Sequence, residues 1–221
     1  FMSDMEGTKA QWLDGFADAA GLSCIRFDYS GHGRSEGNFT DGTIGAWLDD
    51  ALDVLDHLTE GPQVLAGSSM GGWIALLVAL RRPERVRGIV GIAAAPDFTE
   101  DLIHRELDDA QRETLMRDGI LHLASEYSET AYPITRQLIE EGRNHLLLNA
   151  PIAVPCPVSL VHGQMDSDVP WQTAIQIMER IAHPQVTATF IKDGDHRLSR
   201  EQDLARIGTA LNDVIWSGLG G

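Results

Sequence analysis

The chain has 221 residues, of which 43% are hydrophobic and 23% are charged, a composition typical of a single globular domain. Its 33 acidic residues outnumber its 17 basic ones, which gives a formal charge of −16. Such a surface repels phosphate backbones and anionic lipid, so nucleic acid and membrane surfaces are excluded as expected partners. No apolar run reaches about 18 residues, so no membrane span is predicted.

The N-terminal pattern and the cysteines bear on the cellular compartment in which the protein is expected. No basic stretch followed by an apolar one opens the chain, so no signal-peptide pattern is visible. Cys24 and Cys156 are too few for a disulfide framework and lack the spacing of metal ligands. Both are predicted to pack as thiols in a reducing compartment, and the cytoplasm is the expected location. Nothing in the sequence indicates an oligomeric state.

Strand-like apolar runs alternate with helical patterns along most of the chain. The first helix is predicted within residues 8–21, followed by a strand at 22–29, "LSCIRFDY", and the glycine-rich turn "SGHGRSEG". A second helix over residues 43–59 has one apolar face. The short strand "PQVLAG" then leads into the mostly apolar helix "MGGWIALLVALRR", and "VRGIVGIAAA" is predicted as the next strand.

The pattern changes after Pro96. The residues that follow are polar and charge-rich, and they are predicted to form an inserted helical lobe. One helix of this lobe is predicted to start at Tyr132-Pro133, with Pro133 at the first helical position, and to end at Gly142.

Alternation then resumes with the strand "CPVSLVHG", a helix, the strand "VTATFI" and a last helix. This order predicts an α/β fold, with a mostly parallel sheet covered by helices on both faces. The predicted organisation is a first part of the core at residues 1–96, a helical cap at 97–151 and a second part of the core at 152–221.

Two adjacent serines lie between glycines in "VLAGSSMGGW", residues 64–73. The pattern Gly-x-Ser-x-Gly fits only with Ser69 at its centre, because Ser68 would need glycines where Ala66 and Met70 stand. A strand, a sharp turn and a helix would present this hydroxyl at a helix N-terminus, where N–H groups favour developing negative charge. Both flanking glycines are expected to relieve the crowding of the turn. Ser69 is therefore the candidate nucleophile.

A serine hydroxyl needs a base to take its proton, and a histidine held by a carboxylate can serve. His196 lies in "KDGDHR", between the last strand and the last helix, where such a base belongs. The acid is expected after the preceding strand, in "LVHGQMDSDVPW", where Asp166 and Asp168 both qualify by position. Asp166 is preferred and Asp168 is the alternative. The other histidines, including His162, are interpreted as surface or capping residues.

These motifs resemble those of the serine hydrolases of α/β-hydrolase fold. They are similar in particular to the bacterial relatives of the mitochondrial palmitoyl-protein thioesterase, also described as mycophenolic acid acyl-glucuronide esterase. The similarity extends over nearly the whole chain and rests on "FMSDMEGTKA", "FDYSGHGRSEG", "GSSMGGW", "YPITRQLIEEGRNHLLLNAPI", "HGQMDSDVPW" and "DGDHR". It implies a triad of Ser69, Asp166 and His196, with the N–H groups of Phe1 and Met70 as donors to the oxyanion.

The resemblance also implies strands ahead of Phe1. One of them normally lies between the strand ending at Asp28 and the strand ending at Gly67. We therefore expect the chain to be a piece of a longer enzyme, and we expect its sheet to have a gap at that place.

The implied activity is hydrolysis of acyl esters or thioesters through an acyl-enzyme, without a metal or organic cofactor. The expected substrates are small molecules or acylated proteins, and the resemblance favours fatty-acyl thioesters. The cap is expected to determine the substrate specificity. The alternatives are a general carboxylesterase, a C–C bond hydrolase of the same fold and a catalytically impaired interaction module. A P-loop nucleotide binder is excluded, because no Gly-Lys-Ser/Thr follows the glycines.

Overall fold

A computed structural model describes residues 1–123 and 131–217 of the chain. The α-helices in these ranges are α1 Thr8–Ala19, α2 Ile44–Leu58, α3 Met70–Arg81, α4 Asp109–Asp118, α5 Arg136–Gly142, α6 Gln172–Arg180 and α7 Glu201–Trp216. The strands are β1 Gln63–Ser68, β2 Val86–Ile92, β3 Ile120–Leu123, β4 Tyr132–Thr135, β5 Val158–Gly163 and β6 Val186–Ile191. No helix within the described ranges is both long enough and apolar enough to cross a membrane.

One parallel sheet forms the centre of the molecule, with strand order β1-β2-β5-β6. Side chains alternate between its faces, so Ile89 of β2 packs in one apolar layer and Val90 in the other. Helices α2, α3 and α6 cover the first face, and α1 and α7 cover the second. Both faces of a parallel sheet need such cover. The predicted α/β architecture is confirmed.

The helix that follows β1 is buried almost all round. It packs between α2 and the sheet, and its Trp73 is 0% exposed. α2 in turn is capped by the residue before it, Thr43, whose hydroxyl accepts a hydrogen bond from the Ala46 N–H at 3.1 Å. Packing on both sides fixes α3, and with it the turn that joins β1 to α3.

Helix α1 lies against α7 on the opposite face. A glycine at position 208 of α7 permits the close approach, since a Cβ there would lie 2.9 Å from the ring of Trp12. The ring of Trp12 stacks on that of Phe16, with centroids 5.4 Å apart, and both contact the α7 layer. α1 is therefore held firmly beside the start of α7.

The strand predicted at residues 22–29 is not formed. These residues have no regular secondary structure and pair with no strand in the described part of the chain, so the outer side of β1 is an edge. A strand exists only where a neighbour accepts its ladder of hydrogen bonds, which propensity alone cannot supply. The expected gap between such a strand and β1 stays a prediction. Cys24, predicted to pack, is exposed in this segment, whereas Cys156 is buried as predicted.

The sequence predicts a helical lobe between β2 and β5, but the structure has both helices and strands there. β3 and β4 form an antiparallel pair in which Pro133 lies opposite His122. The helix start predicted at Tyr132-Pro133 is wrong, because α5 begins at Arg136 and is capped by the hydroxyl of Thr135. Pro133 is tolerated in a strand that has a single neighbour among the described residues. Gly142 ends α5 as predicted.

Part of the predicted cap, residues 124–130, lies outside the described residues, as do residues 218–221. The described remainder has a small apolar core of its own, in which Leu115 of α4 packs with Ile134 of β4 and Ile139 of α5. The boundaries of the cap at 97 and 151 stay a prediction.

Candidate active site

The turn between β1 and α3 holds Ser69 in an unusual backbone conformation. Its φ is 54° and its ψ is −119°, outside the helical and extended regions that L-residues favour. The Ser69 N–H donates to the carbonyl oxygen of Ile92 at 2.9 Å, and its own carbonyl oxygen accepts from the Ala95 N–H at 3.1 Å. β2 and the residues after it therefore hold the strained serine in place, at the N-terminus of α3.

The glycines around Ser69 are not equivalent. A Cβ at Gly67 would lie 2.1 Å from the carbonyl oxygen of Gly71, and a Cβ at Gly72 would lie 2.5 Å from the Cβ of Ala94. A Cβ at Gly71 would meet nothing within 4 Å. The sterically required glycines are therefore 67 and 72, and the expectation that Gly71 relieves crowding is wrong.

This difference predicts opposite results for two conservative substitutions. Gly67→Ala forces the turn backbone to move, so its midpoint of thermal unfolding is expected to fall by at least about 5 °C. A shift of the serine by about 1 Å also costs roughly 10²-fold in kcat/KM. Gly71→Ala is the matched control: it fits the space and favours the helix by about 1 kcal/mol, so the midpoint is expected to stay or rise. Equal destabilisation of the two variants would contradict this account of the turn.

The parallel sheet brings the three predicted catalytic residues to one edge. Ser69 follows β1, Asp166 follows β5 and His196 follows β6, and the carboxyl ends of parallel strands lie on the same side. There, His196 Nδ1 lies 2.8 Å from Asp166 Oδ2. The side chain of Asp166 is fully buried and that of His196 is 16% exposed. The two side chains are thus joined by a direct hydrogen bond, and the histidine ring is partly exposed.

The carboxylate of Asp166 accepts hydrogen bonds at both oxygens. Oδ1 accepts from the N–H groups of Asp168 at 2.9 Å and Val169 at 2.8 Å, and Oδ2 faces His196 and His162. Burial alone would raise the pKa of this carboxyl, but the hydrogen bonds from His162 and His196, the charge on His196 and the Val169 N–H together hold the pKa well below its usual range. Asp166 is therefore ionised at neutral pH.

An ionised Asp166 fixes the protonation of the histidine beside it. A carboxylate oxygen can only accept, so Nδ1 of His196 carries the proton and donates it. In the neutral ring Nε2 is then the free acceptor. That is the tautomer a general base needs to take a proton from a hydroxyl.

His162 is part of this arrangement, and the sequence interpretation of it as a surface or capping residue is wrong. It is 1% exposed, at the end of β5. Its Nε2 lies 3.2 Å from Asp166 Oδ2 and 3.0 Å from the carbonyl oxygen of Val169. Both partners are acceptors, so Nε2 carries the proton and donates to them. A histidine near the end of a strand that is buried along its whole length was the available signal, because a buried polar ring requires such partners.

The two candidate acids occupy different places. The carboxylate of Asp166 faces Nδ1 of His196, whereas Oδ2 of Asp168 lies 3.9 Å from Nε2 and its side chain is 36% exposed. The main chain of Asp168 contributes to the site instead, because its N–H donates to Asp166. The structure thus brings the carboxylate of Asp166, and not that of Asp168, to Nδ1 of His196.

The loop that carries His196 is fixed at several points. Oδ1 of Asp195 accepts from the Leu198 N–H at 2.9 Å. Arg200 binds Asp193 at 2.8 Å, at the start of the loop, and the fully buried Asp203 of α7 at 2.8 Å. These charges raise the pKa of Arg200 above its ordinary value, so the guanidinium stays charged. The position of the histidine is thereby set by ion pairs on both sides of it.

Of the two expected oxyanion donors, Met70 is the first residue of α3, and Phe1 packs against the main apolar core. The N–H of Met70 is the first of the helix and has no intrahelical acceptor. The ring of Phe1 lies 5.5 Å from that of Phe98, which lies 5.7 Å from that of Trp73, one turn along α3. The N–H of the next residue, Met2, donates to His32 Nε2 at 3.3 Å. Their role as donors stays a prediction.

Comparison with known proteins gives the family. Residues 6–118 match the α/β hydrolase fold family. Over 216 residues, 97% of this chain and 72% of the relative, the sequence is 41% identical to the mitochondrial palmitoyl-protein thioesterase ABHD10 of Mus musculus. The chain belongs to the α/β-hydrolase fold family. The human ABHD10 thioesterase is 38% identical to this hydrolase over 97% of the chain and 70% of the relative.

Solved structures agree with this assignment. A protein from Agrobacterium vitis S4 superposes on the hydrolase with a TM-score of 0.94 and 46% identity, over 97% of this chain and 85% of that one. The α/β hydrolase domain-containing protein 10 from mouse superposes with a TM-score of 0.91 and 39% identity, over 98% of this chain and 87% of that one. The family and fold expected from the sequence motifs are confirmed.

Proposed function

We propose that this hydrolase cleaves acyl esters or thioesters through an acyl-enzyme formed on Ser69, with His196 as general base and Asp166 as the acid that orients it. The single observation that carries the proposal is the 2.8 Å hydrogen bond between His196 Nδ1 and the buried Asp166. It leaves Nε2 as acceptor at the sheet edge where the strained turn presents Ser69.

The reaction runs in two halves. Nε2 of His196 takes the proton of Ser69 Oγ as the oxygen attacks the acyl carbon, and the new C–O bond forms while the carbonyl oxygen gains negative charge. As the C–S or C–O bond of the substrate breaks, the imidazolium returns its proton to the leaving thiol or alcohol. Water then attacks the acyl-enzyme by the same steps, which releases the acid and restores the Ser69 hydroxyl.

The negative oxygen of each tetrahedral intermediate needs donors. We propose the N–H of Met70 for one of them, because it is the first N–H of α3 and has no acceptor within the helix, whose dipole adds to its effect. We propose the N–H of Phe1 for the other, on the strength of the resemblance. Removing one such donor typically costs roughly 10²- to 10³-fold in rate.

We propose fatty-acyl thioesters as the preferred substrates, either as small molecules or on acylated proteins. The support is the identity of 38–41% with thioesterases named for palmitoyl-protein, over 97% of the chain. Phe1 provides a second line of support, because its ring contacts those of Phe98 and Tyr132, two residues of the predicted cap, and so adds aromatic contacts between the first residue and that region. General carboxylesterases, C–C bond hydrolases and inactive interaction modules are not favoured by these relatives. A cytoplasmic location stays a prediction.

A chain-length series tests the substrate proposal. Thioesters of coenzyme A and matched p-nitrophenyl esters, from two to sixteen acyl carbons, are compared by kcat/KM. Burial of methylene groups predicts a rise of roughly tenfold for every two methylenes added, until the acyl site is filled. Ser69→Ala is measured alongside to subtract turnover that does not use the site. Flat kcat/KM along the series would contradict the fatty-acyl proposal, and no Ser69-dependent turnover of any ester would contradict the hydrolase mechanism.

A further inference from the structure

Lys9 of α1 reaches across to the loop that carries His196. Its ammonium donates a hydrogen bond to the carbonyl oxygen of Arg197, the residue directly after His196. The two partners are 188 positions apart in the chain, so this contact exists only in the folded protein. Lys9 and Lys192 are the two lysines in the sequence, and Lys192 is exposed whereas Lys9 is half-buried.

The ammonium lies in a charged setting that belongs to the site. Burial lowers the pKa of Lys9, and the carboxylates of Asp195 and Asp166 oppose that shift while Arg197 adds to it. One of these carboxylates is the orienting acid itself, and another is the neighbour of His196 in the loop. A cation placed here therefore acts on the charges that surround the base.

The backbone of Lys9 belongs to α1, a helix that is held firmly by its packing on α7. α1 is packed against α7 through Trp12 and Phe16, beside the loop that leads into α7. Residues 1–7 directly precede α1, and the Met5 N–H in this segment is bonded to Asp28 at 2.6 Å. Lys9 thus links α1 to the loop that contains His196. α1 directly follows residues 1–7, the segment that begins with Phe1.

We propose that Lys9 is a positioning residue for catalysis: it holds the peptide after His196 so that Nε2 points at Ser69. The proposal rests on the proposed function. Lys9 acts through His196 and is not assigned any contact with substrate. Asp195 and Arg200 also restrain the loop, so loss of Lys9 is expected to misalign the base in part and not to abolish activity.

The test compares Lys9→Met, Lys9→Arg and the matched control Lys192→Met, which removes an equal charge from the same loop region. For Lys9→Met, kcat on an acyl thioester is expected to fall about tenfold, with KM within about twofold, because alignment is needed in the transition state and not for binding. The rate of covalent labelling by a fluorophosphonate should fall by a similar factor. Lys9→Arg keeps a cationic donor and is expected to recover most of kcat.

Several outcomes would overturn the proposal. These are an unchanged kcat for Lys9→Met, an equal loss for Lys192→Met, or a loss confined to KM. If Lys9→Met does not fold, as judged by its thermal unfolding, Lys9→Gln is compared by the same measurements. Absence of Ser69-dependent turnover in the unmodified protein would overturn the proposed function and the role of Lys9 together. If the parent enzyme shows Ser69-dependent turnover and Lys9→Met has the same kcat, only the role proposed for Lys9 is overturned.

Discussion

Ser69→Ala is expected to lower kcat for an acyl thioester or ester by roughly 10⁴- to 10⁶-fold, because no other hydroxyl is held at this turn and the residual rate would come from binding and oxyanion donors alone. The fold should not change. Alanine removes one oxygen from a half-buried side chain, while the hydrogen bonds that hold the turn are made by the backbone N–H and carbonyl of residue 69.

Ser68→Ala is the control for this substitution. Ser68 is the last residue of β1, is paired with Ile92 in the sheet and has the same half-buried character as Ser69. Its loss is expected to leave kcat within about threefold of the parent, since its hydroxyl is not on the turn. Steady-state kinetics on one batch of substrate decides the question. A large loss for Ser68→Ala with little for Ser69→Ala would mean that the nucleophile is assigned to the wrong serine.

The second large effect is expected for Asp166→Asn, which should lower kcat by roughly 10³- to 10⁴-fold. Four donors surround the two carboxylate oxygens: two backbone N–H groups, His162 and His196. An amide has one oxygen, so its NH2 group must face either the two N–H groups or the two histidines. If it faces the histidines, His196 must turn Nδ1 into an acceptor and move its proton to Nε2, which then cannot take the proton of Ser69.

Asp168→Asn provides the matched comparison, because it makes the same chemical change two residues away. The side chain of Asp168 is partly exposed and lies 3.9 Å from Nε2, and the hydrogen bond it gives to Asp166 comes from its backbone. The expected loss in kcat is at most about tenfold. Thermal unfolding of both variants separates a catalytic effect from misfolding. Equal losses, or a larger one for Asp168→Asn, would contradict the assignment of Asp166.

The sequence predicted those parts of the fold in which local pattern and tertiary contacts agree. α2 and α7 have apolar faces that match the layers they cover, and β5 is buried along its whole length. The segment at 22–29 has the same strand-like composition but pairs with no strand among residues 1–123 and 131–217, and pairing depends on residues far away in the chain. Pro133 fits the first position of a helix, but it is equally compatible with β4, which pairs only with β3 in the described part of the chain.

The candidate site, like the fold, could be predicted from the sequence only where its structure is local. Spacing alone selected Ser69 over Ser68, because the turn is a local structure that the pattern of glycines describes. The position of Asp166 relative to Asp168 depends on the conformation of the loop after β5. In that loop the Val169 N–H donates a hydrogen bond to one carboxylate oxygen of Asp166. The contribution of His162 depended on a contact with Asp166 that composition does not reveal.

The central claim is that Ser69 is the activated nucleophile of this hydrolase. The most direct measurement is reaction with a fluorophosphonate, followed by digestion and mass spectrometry of the peptides. The account predicts one probe per chain, on the peptide that contains "GSSMGGW", with labelling lost in Ser69→Ala and retained in Ser68→Ala. A folded protein that takes up no probe, or takes it up on a residue other than Ser69, would contradict the account.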